Sequence, residues 1–212
     1  MFKDIKKVLI LAPHPDDTEF GLGGTLVKLL EMGTEVHLAV FSLCEKSTPE
    51  GFEPGVIEQE FLESSRFLGL KEENLHIFDY AVRDFPAFRQ DILEDMIRLR
   101  NRLNPDLVFL PSSSDIHQDH NTIYNEGVRA FKHFNMLGYE MPWNNFGFKS
   151  YVFVNLNSEQ IGKKMKALEI YKSQAHRPYS SAEVVESLAK VRAMQIGRQF
   201  AESFELIRFI QL

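Results

Sequence analysis

Hydrophobic positions in this chain arrive as short apolar bursts separated by longer stretches in which apolar residues recur every three or four positions. Lys7–Pro13 is almost wholly apolar and ends in a polar turn, the pattern of a strand buried on both faces. Leu22, Leu26, Leu29 and Leu30 then recur at helical spacing, predicting a helix over Gly21–Met32 that Gly33 stops. Glu35–Phe41 is apolar and β-branched, a second strand. After a polar loop from Ser42 to Gly55 come a helix over Val56–Leu68 closed by Gly69, a strand around Asn74–Phe78, a helix over Phe88–Leu103 and a strand over Asp106–Leu110. Such alternation predicts an α/β fold, a Rossmann-like three-layer sandwich with a mostly parallel sheet.

Beyond Asp115 the pattern loosens. It predicts a helix over Thr122–Phe134, an irregular Gly/Pro/Asn/aromatic stretch from Gly138 to Phe148 and a strand over Ser150–Asn155. Within the irregular stretch, Pro142–Phe146 offers aromatic faces and amides suited to sugar rings, and equally to a packed surface. Helices over Ser158–Tyr171 and Ala182–Gly197 and a last strand over Glu205–Ile210 complete the pattern. No repeat, low-complexity tract or linker interrupts the 212 residues, so one domain is expected throughout.

Composition adds exclusions. Apolar residues are 44% and charged residues 25%, an ordinary globular balance. With 24 Lys plus Arg against 30 Asp plus Glu there is no broad basic field, so nucleic acid is not expected as a partner. The single cysteine, Cys44, allows no internal disulfide and carries no nucleophile signature. The first apolar run is too short for a signal core or a membrane span, so a cytoplasmic protein without a membrane partner is expected, with a homo-oligomer left open.

Two polar clusters stand directly after strands: His14-Pro15-Asp16-Asp17 after the first, and Asp115-Ile116-His117-Gln118-Asp119-His120 after the strand ending at Leu110. Parallel strands joined by right-handed crossovers put their carboxyl ends on one sheet edge, where ligands bind, so the clusters can face each other. Together they offer three histidines and four carboxylates. Two imidazoles and a carboxylate, with one position left for water, suit a catalytic zinc. Taken singly, the same residues read otherwise: Asp16 or Asp17 as a helix N-cap, His117 or His120 as a loop histidine. The glycines of Gly21-Leu22-Gly23-Gly24 do not make a dinucleotide loop, because Leu26 stands where the third glycine belongs; close packing at a helix start accounts for them. His37, His76 and His133 fall in predicted strands or a helix and are given no role, while His176 borders the candidate site in sequence.

The string Ala12-Pro13-His14-Pro15-Asp16-Asp17-Thr18-Glu19-Phe20 with its following glycines, paired with His117-Gln118-Asp119-His120, resembles the PIG-L/LmbE-like family of de-N-acetylases. Weaker likeness extends through Glu60 with Leu68-Gly69, Lys166–Gln174 and Ala201–Phe204. The resemblance implies a Rossmann-like fold and a zinc ion (Zn2+) held by His14, Asp17 and His120. It also implies Asp16 as general base, His117 as acid or oxyanion stabiliser and Asp119 as the group that orients His117. The reaction implied is hydrolysis of the acetamide of a small-molecule N-acetyl amino sugar conjugate. Three positions depart from the family's habit: Ile57 replaces an arginine, Tyr171 a histidine and Gln118 a proline. A metal-containing but non-catalytic sugar- or nucleotide-binding protein, and a zinc amidase for a non-sugar substrate, are the competing readings.

Overall fold

The computed structural model describes residues 4–210. Within them a seven-stranded sheet is formed by β1 (Lys7–Ala12), β2 (Glu35–Val40), β3 (Leu75–Ile77), β4 (Leu107–Pro111), β5 (Asn135–Tyr139), β6 (Val152–Leu156) and β7 (Phe200–Arg208). Their spatial order is β3-β2-β1-β4-β5-β7-β6. The first five run parallel, while β7 pairs antiparallel with both β5 and β6. The α/β sandwich expected from the alternating pattern is therefore the architecture observed.

Alternate residues of β1 feed two cores, which is why that strand tolerates no polar residue between Val8 and Ala12. Val8, Ile10 and Ala12 pack on one face with Leu22 and Leu26 of α1 (Asp17–Glu31), Phe61 of α2 (Val56–Leu68), Ile161 of α5 (Ser158–Leu168) and Val185 of α6 (Ala182–Met194). Leu9 and Leu11 point the other way, onto Ile92 and Met96 of α3 (Arg89–Leu103) and Ile123 of α4 (Gln118–Ala130). Each sheet face is thus covered by helices, which removes both apolar faces of the parallel strands from water. No described helix is long and apolar enough to cross a membrane.

Several elements differ from what the sequence pattern predicts, among them β7, which begins at Phe200 although the strand is predicted only from Glu205. α1 begins at Asp17, before the glycines, and is bent at Leu22, whose φ of −153° lies outside helical space. The bend costs backbone hydrogen bonds inside the helix, and Glu202 of β7 replaces them by accepting from the amides of Gly24 (3.0 Å) and Thr25 (2.7 Å). Lys164 of α5 pairs with the same carboxylate at 2.7 Å and donates to the Phe20 carbonyl at 2.7 Å. A Cβ on Gly21 would come within 2.5 Å of the Tyr139 ring, so close packing demands glycine there, while one on Gly24 would meet the end of the Leu156 side chain at 2.5 Å and push it aside. Another difference is β5, which lies between the predicted helix end at Phe134 and the predicted irregular stretch and takes in the first two residues of the latter: α4 stops at Ala130, and Gly138 lets the strand pass within 2.9 Å, measured from a would-be Cβ, of Ser112.

The order of β1 and β4 positions the site. Crossovers from β1 lead outward on one side through β2 and β3, and those from β4 lead outward on the other through β5, so the carboxyl ends of β1 and β4 flank the point where the winding reverses. A crevice must open there. Both polar clusters leave from those two strand ends.

Candidate functional site

Pro15 follows His14 and leads into the first turn of α1, which carries Asp17 inward, while the loop after β4 leads into α4, whose first turn carries His120. Three atoms from these turns converge. His14 Nδ1 lies 3.2 Å from His120 Nε2, and Asp17 Oδ2 lies 3.3 Å from each of the two nitrogens. Asp17 Oδ2 also accepts the His14 amide at 2.8 Å, which ties the carboxylate to its own turn.

The far nitrogens of the two rings are each engaged by a carboxylate. His14 Nε2 lies 3.0 Å from Asp119 Oδ2, and His120 Nδ1 lies 2.7 Å from Asp115 Oδ2. A carboxylate accepts and cannot donate when ionised, so each ring must carry its proton on that far nitrogen. Both near nitrogens then present lone pairs toward Asp17 Oδ2, an arrangement that repels itself unless protons or a cation sit between them. Tetrahedral coordination with bonds of about 2.0–2.1 Å separates ligand atoms by about 3.3–3.4 Å, which matches the triangle's edges. Two imidazoles and one carboxylate, oriented through their outer atoms, fit a divalent transition-metal ion with a position left for water.

Without the ion the same atoms attract protons. Burial opposes a charge on His14 and His120, but the Asp17 carboxylate outweighs it and both pKa values lie above that of free histidine. Burial likewise opposes ionisation of Asp17, yet the two imidazoles, His120 foremost, hold its pKa well below the usual carboxylate range. A metal therefore competes with protons for this triangle.

Asp16 and His117 line the same cleft beside the triangle. Asp16 occupies the N-cap position of α1, but its side chain caps nothing and remains available. Burial, and then the adjacent Asp17 charge, push its pKa up. His117 is the N-cap of α4: its Nδ1 accepts the Asp119 amide at 3.2 Å, so a neutral ring carries its proton on Nε2, which remains the free donor. Its ring centre lies 4.8 Å from that of His120 and 5.1 Å from that of His14. Burial, then the positive charge of His120, lowers its pKa. The three imidazoles all have a nitrogen within 4.8 Å of one another; the set with Asp17 in place of His117 is the tighter one, and the Nδ1 of His117 is already committed to capping.

Asp119 departs from the expectation that it orients His117. Its carboxylate accepts from His14 and from the Arg83 amide at 2.7 Å, and only its backbone N–H meets His117. Asp115 belongs to the second sequence cluster, although neither the motif chemistry nor the family resemblance gives it a role; it holds His120 and also accepts the His117 amide at 2.9 Å. Its sole sequence signal is its place in the loop five residues before His120.

The cleft has a volume of about 260 Å³. Cys44, Ile57 and Val82 supply an apolar patch of its lining. The Cys44 thiol is pushed up in pKa by burial first and by Asp16 next, so it is an inert part of that wall. Phe20, Trp143 and Tyr179 supply an aromatic side, with the Trp143 and Tyr179 rings stacked at 3.9 Å and 11°. Trp143 comes from the irregular stretch, whose composition suits sugar rings but does not by itself place it at the site. Tyr171, in place of the family's histidine, donates to the Pro15 carbonyl at 2.9 Å and lies 3.1 Å from Glu19, bracing the turn that carries Asp16 and Asp17. His176 is exposed and its Nδ1 lies 3.1 Å from the Ser173 carbonyl; it does not line the cleft.

The sequence model of one family, described as GlcNAc-PI de-N-acetylase (PIG-L), matches residues 9–131, more than half of the chain and both clusters. The chain belongs to the PIG-L family. Among curated relatives, diacetylchitobiose deacetylase of Thermococcus kodakarensis is 29% identical over 138 residues, covering 61% of this chain and 50% of that protein. The match thus spans half the length of that relative. The deacetylase YaiS of Escherichia coli, itself uncharacterised, is 28% identical over 177 residues, 79% of this chain and 91% of its own. Among solved structures, N,N'-diacetylchitobiose deacetylase from Pyrococcus horikoshii superposes with a TM-score of 0.79 at 24% identity, over 97% of this chain and 85% of that one, a likeness of fold.

Proposed function

We propose that this PIG-L family member is a zinc-dependent hydrolase that removes the acetyl group from an N-acetylated amino sugar conjugate, with His14, Asp17 and His120 as the metal ligands. The observation that carries the reading is the triangle of near-equal 3.2–3.3 Å edges between His14 Nδ1, Asp17 Oδ2 and His120 Nε2, backed by carboxylates on both outer ring nitrogens. Names of relatives support the substrate class: one is a diacetylchitobiose deacetylase and another a probable N-acetyl-α-D-glucosaminyl L-malate deacetylase.

Held by His14, Asp17 and His120, a zinc ion would supply Lewis acidity toward the acetamide carbonyl and toward water near neutral pH. Asp16, with an accessible carboxylate and a raised pKa, accepts the proton of the attacking water. A bond forms between the water oxygen and the acetamide carbon, and negative charge gathers on the carbonyl oxygen. The Nε2–H of His117 donates to that oxygen, and the proton taken up by Asp16 passes to the nitrogen as its bond to carbon breaks. Acetate and a free amino sugar leave. Asp119 and Asp115 hold the His14 and His120 rings at the angles this requires.

The test is acetate release by zinc-loaded protein across a panel of N-acetyl sugars and non-sugar acetamides, with metal content measured on the same sample. Turnover confined to the sugars supports the reading. Sugar binding without acetate, or cleavage of non-sugar amides alone, would overturn it.

A further inference from the structure

The stretch between α5 and α6 sends Arg177 into the lining of the cleft, where it is half-buried. Its guanidinium is held in place: Nη1 donates to the Tyr179 hydroxyl at 2.6 Å, and the guanidinium carbon stands 5.8 Å from the centre of the Tyr179 ring, itself stacked on Trp143. Four of the eleven arginines pair with carboxylates, Arg89 and Arg129 sharing Glu126, Arg98 taking Asp95 and Arg192 taking Glu140; of those that do not, Arg66, Arg83, Arg102, Arg198 and Arg208 are exposed and Arg100 donates to the Ala130 carbonyl. Among the described residues Arg177 has none within 4.0 Å, although the chain carries 30 acidic residues against 24 basic ones. Asp16 attracts it only from beyond that distance. A partly desolvated, pre-positioned guanidinium without a counter-charge is costly in the free protein and is matched by an anion arriving with a ligand. Its planar fork suits a carboxylate or a phosphate, each of which offers two oxygens at the right spacing.

We propose that Arg177 binds an anionic group, carboxylate or phosphate, on the part of the amino sugar conjugate that leaves with the amine. This rests on the deacetylase reading for the word sugar, but not for the anion. Arg177 is then a specificity-determining residue: it selects acidic conjugates over neutral ones within the same cleft.

The experiment compares three substrates on the zinc-loaded full chain: methyl N-acetylglucosaminide, its carboxymethyl counterpart and N-acetylglucosamine 1-phosphate. At least one anionic substrate is expected to exceed the neutral one in kcat/KM by about tenfold or more, mainly through KM, and the two anionic arms tell carboxylate from phosphate. In Arg177→Gln that ratio collapses toward one, and Arg177→Lys keeps part of it. Equal kcat/KM in the unmodified protein, or a preference that survives Arg177→Gln, overturns the proposal. If none of the three releases acetate, the deacetylase reading fails by itself. Calorimetric binding of glucosamine 1-phosphate and carboxymethyl glucosaminide against methyl glucosaminide then decides: an Arg177-dependent preference for either anion sustains the proposal, and none ends it. Should Arg177→Gln unfold, the substrate ratio is compared between the unmodified protein and Arg177→Lys: a reduced ratio in the lysine variant sustains the proposal, and an unchanged one overturns it.

Discussion

His14 Nε2 meets Asp119 Oδ2 at 3.0 Å, leaving Nδ1 as the nitrogen that faces Asp17 and His120. That contact decides which tautomer His14 adopts and links the first cluster to the second across the crevice. Asp119→Ala is expected to lower zinc affinity about 10–100-fold, as loss of a carboxylate behind a ligating imidazole does. Asp115→Asn should act in the same direction through His120. Competition with a chromophoric chelator reads both; unchanged affinity in both variants would show that the rings need no outer carboxylate.

The Asp16 side chain makes no capping hydrogen bond in the turn, so replacing it leaves the triangle intact. Asp16→Asn is expected to keep bound zinc and its thermal midpoint while kcat falls about 10²–10⁴-fold, the usual weight of a general base. Metal analysis beside steady-state acetate release checks it. Loss of zinc in this variant would instead make Asp16 a ligand.

Glu202 and Lys164 are both buried, and the Glu202 carboxylate is the acceptor for the two amides that the bend in α1 sets free. Glu202→Ala orphans both amides and leaves a buried ammonium with only the Phe20 carbonyl, at a cost of about 3–5 kcal/mol. Adding Lys164→Met removes the stranded charge but not the orphaned amides, so the double variant should recover part of the loss. Urea midpoints of the three proteins measure this; full recovery would mean the amides find other partners.

Away from the cleft, Arg102 donates to His76 Nδ1, His76 Nε2 lies 3.1 Å from His37 Nδ1, and His37 Nε2 lies 2.7 Å from Glu35. Burial, and then the Arg102 charge, push the His76 pKa down to about 4. A histidine depressed in the folded state binds fewer protons there than in the unfolded chain between that value and about 6.5. Stability contributed by this group is therefore complete above about pH 6.5 and declines as pH falls through the window toward 4. His76→Gln should flatten that part of the urea-midpoint profile. An identical profile in the variant would place the acid sensitivity elsewhere.

The parts legible in the sequence are those encoded over a few consecutive residues. A buried strand shows itself by a continuous apolar run, as at β1 and β4, and a turn motif at its end carries its donor atoms with it. Gly69, with φ of +97°, ends α2 where expected because only the local backbone is involved. By the same logic the two clusters are readable as neighbours, since parallel winding alone brings the carboxyl ends of β1 and β4 to one edge.

What depends on segments meeting from far along the chain is not readable. The apolar spacing predicts a helix from Gly21 but neither its start at Asp17 nor its bend at Leu22; Glu202 and Lys164, some 140 or more positions later, make the bent helix tenable by replacing its lost hydrogen bonds. β5 carries a glycine because a neighbouring backbone passes close by, a fact with no signature in its own five residues. The sequence by itself determined the α/β winding and that both polar clusters stand at the crevice. Only the tertiary structure decided that Asp119 serves His14, that Asp115 serves His120 and that Arg177 reaches the cleft, because a hydrogen bond or charge contact needs atoms placed to within a few tenths of an ångström on elements whose mutual placement no local pattern specifies.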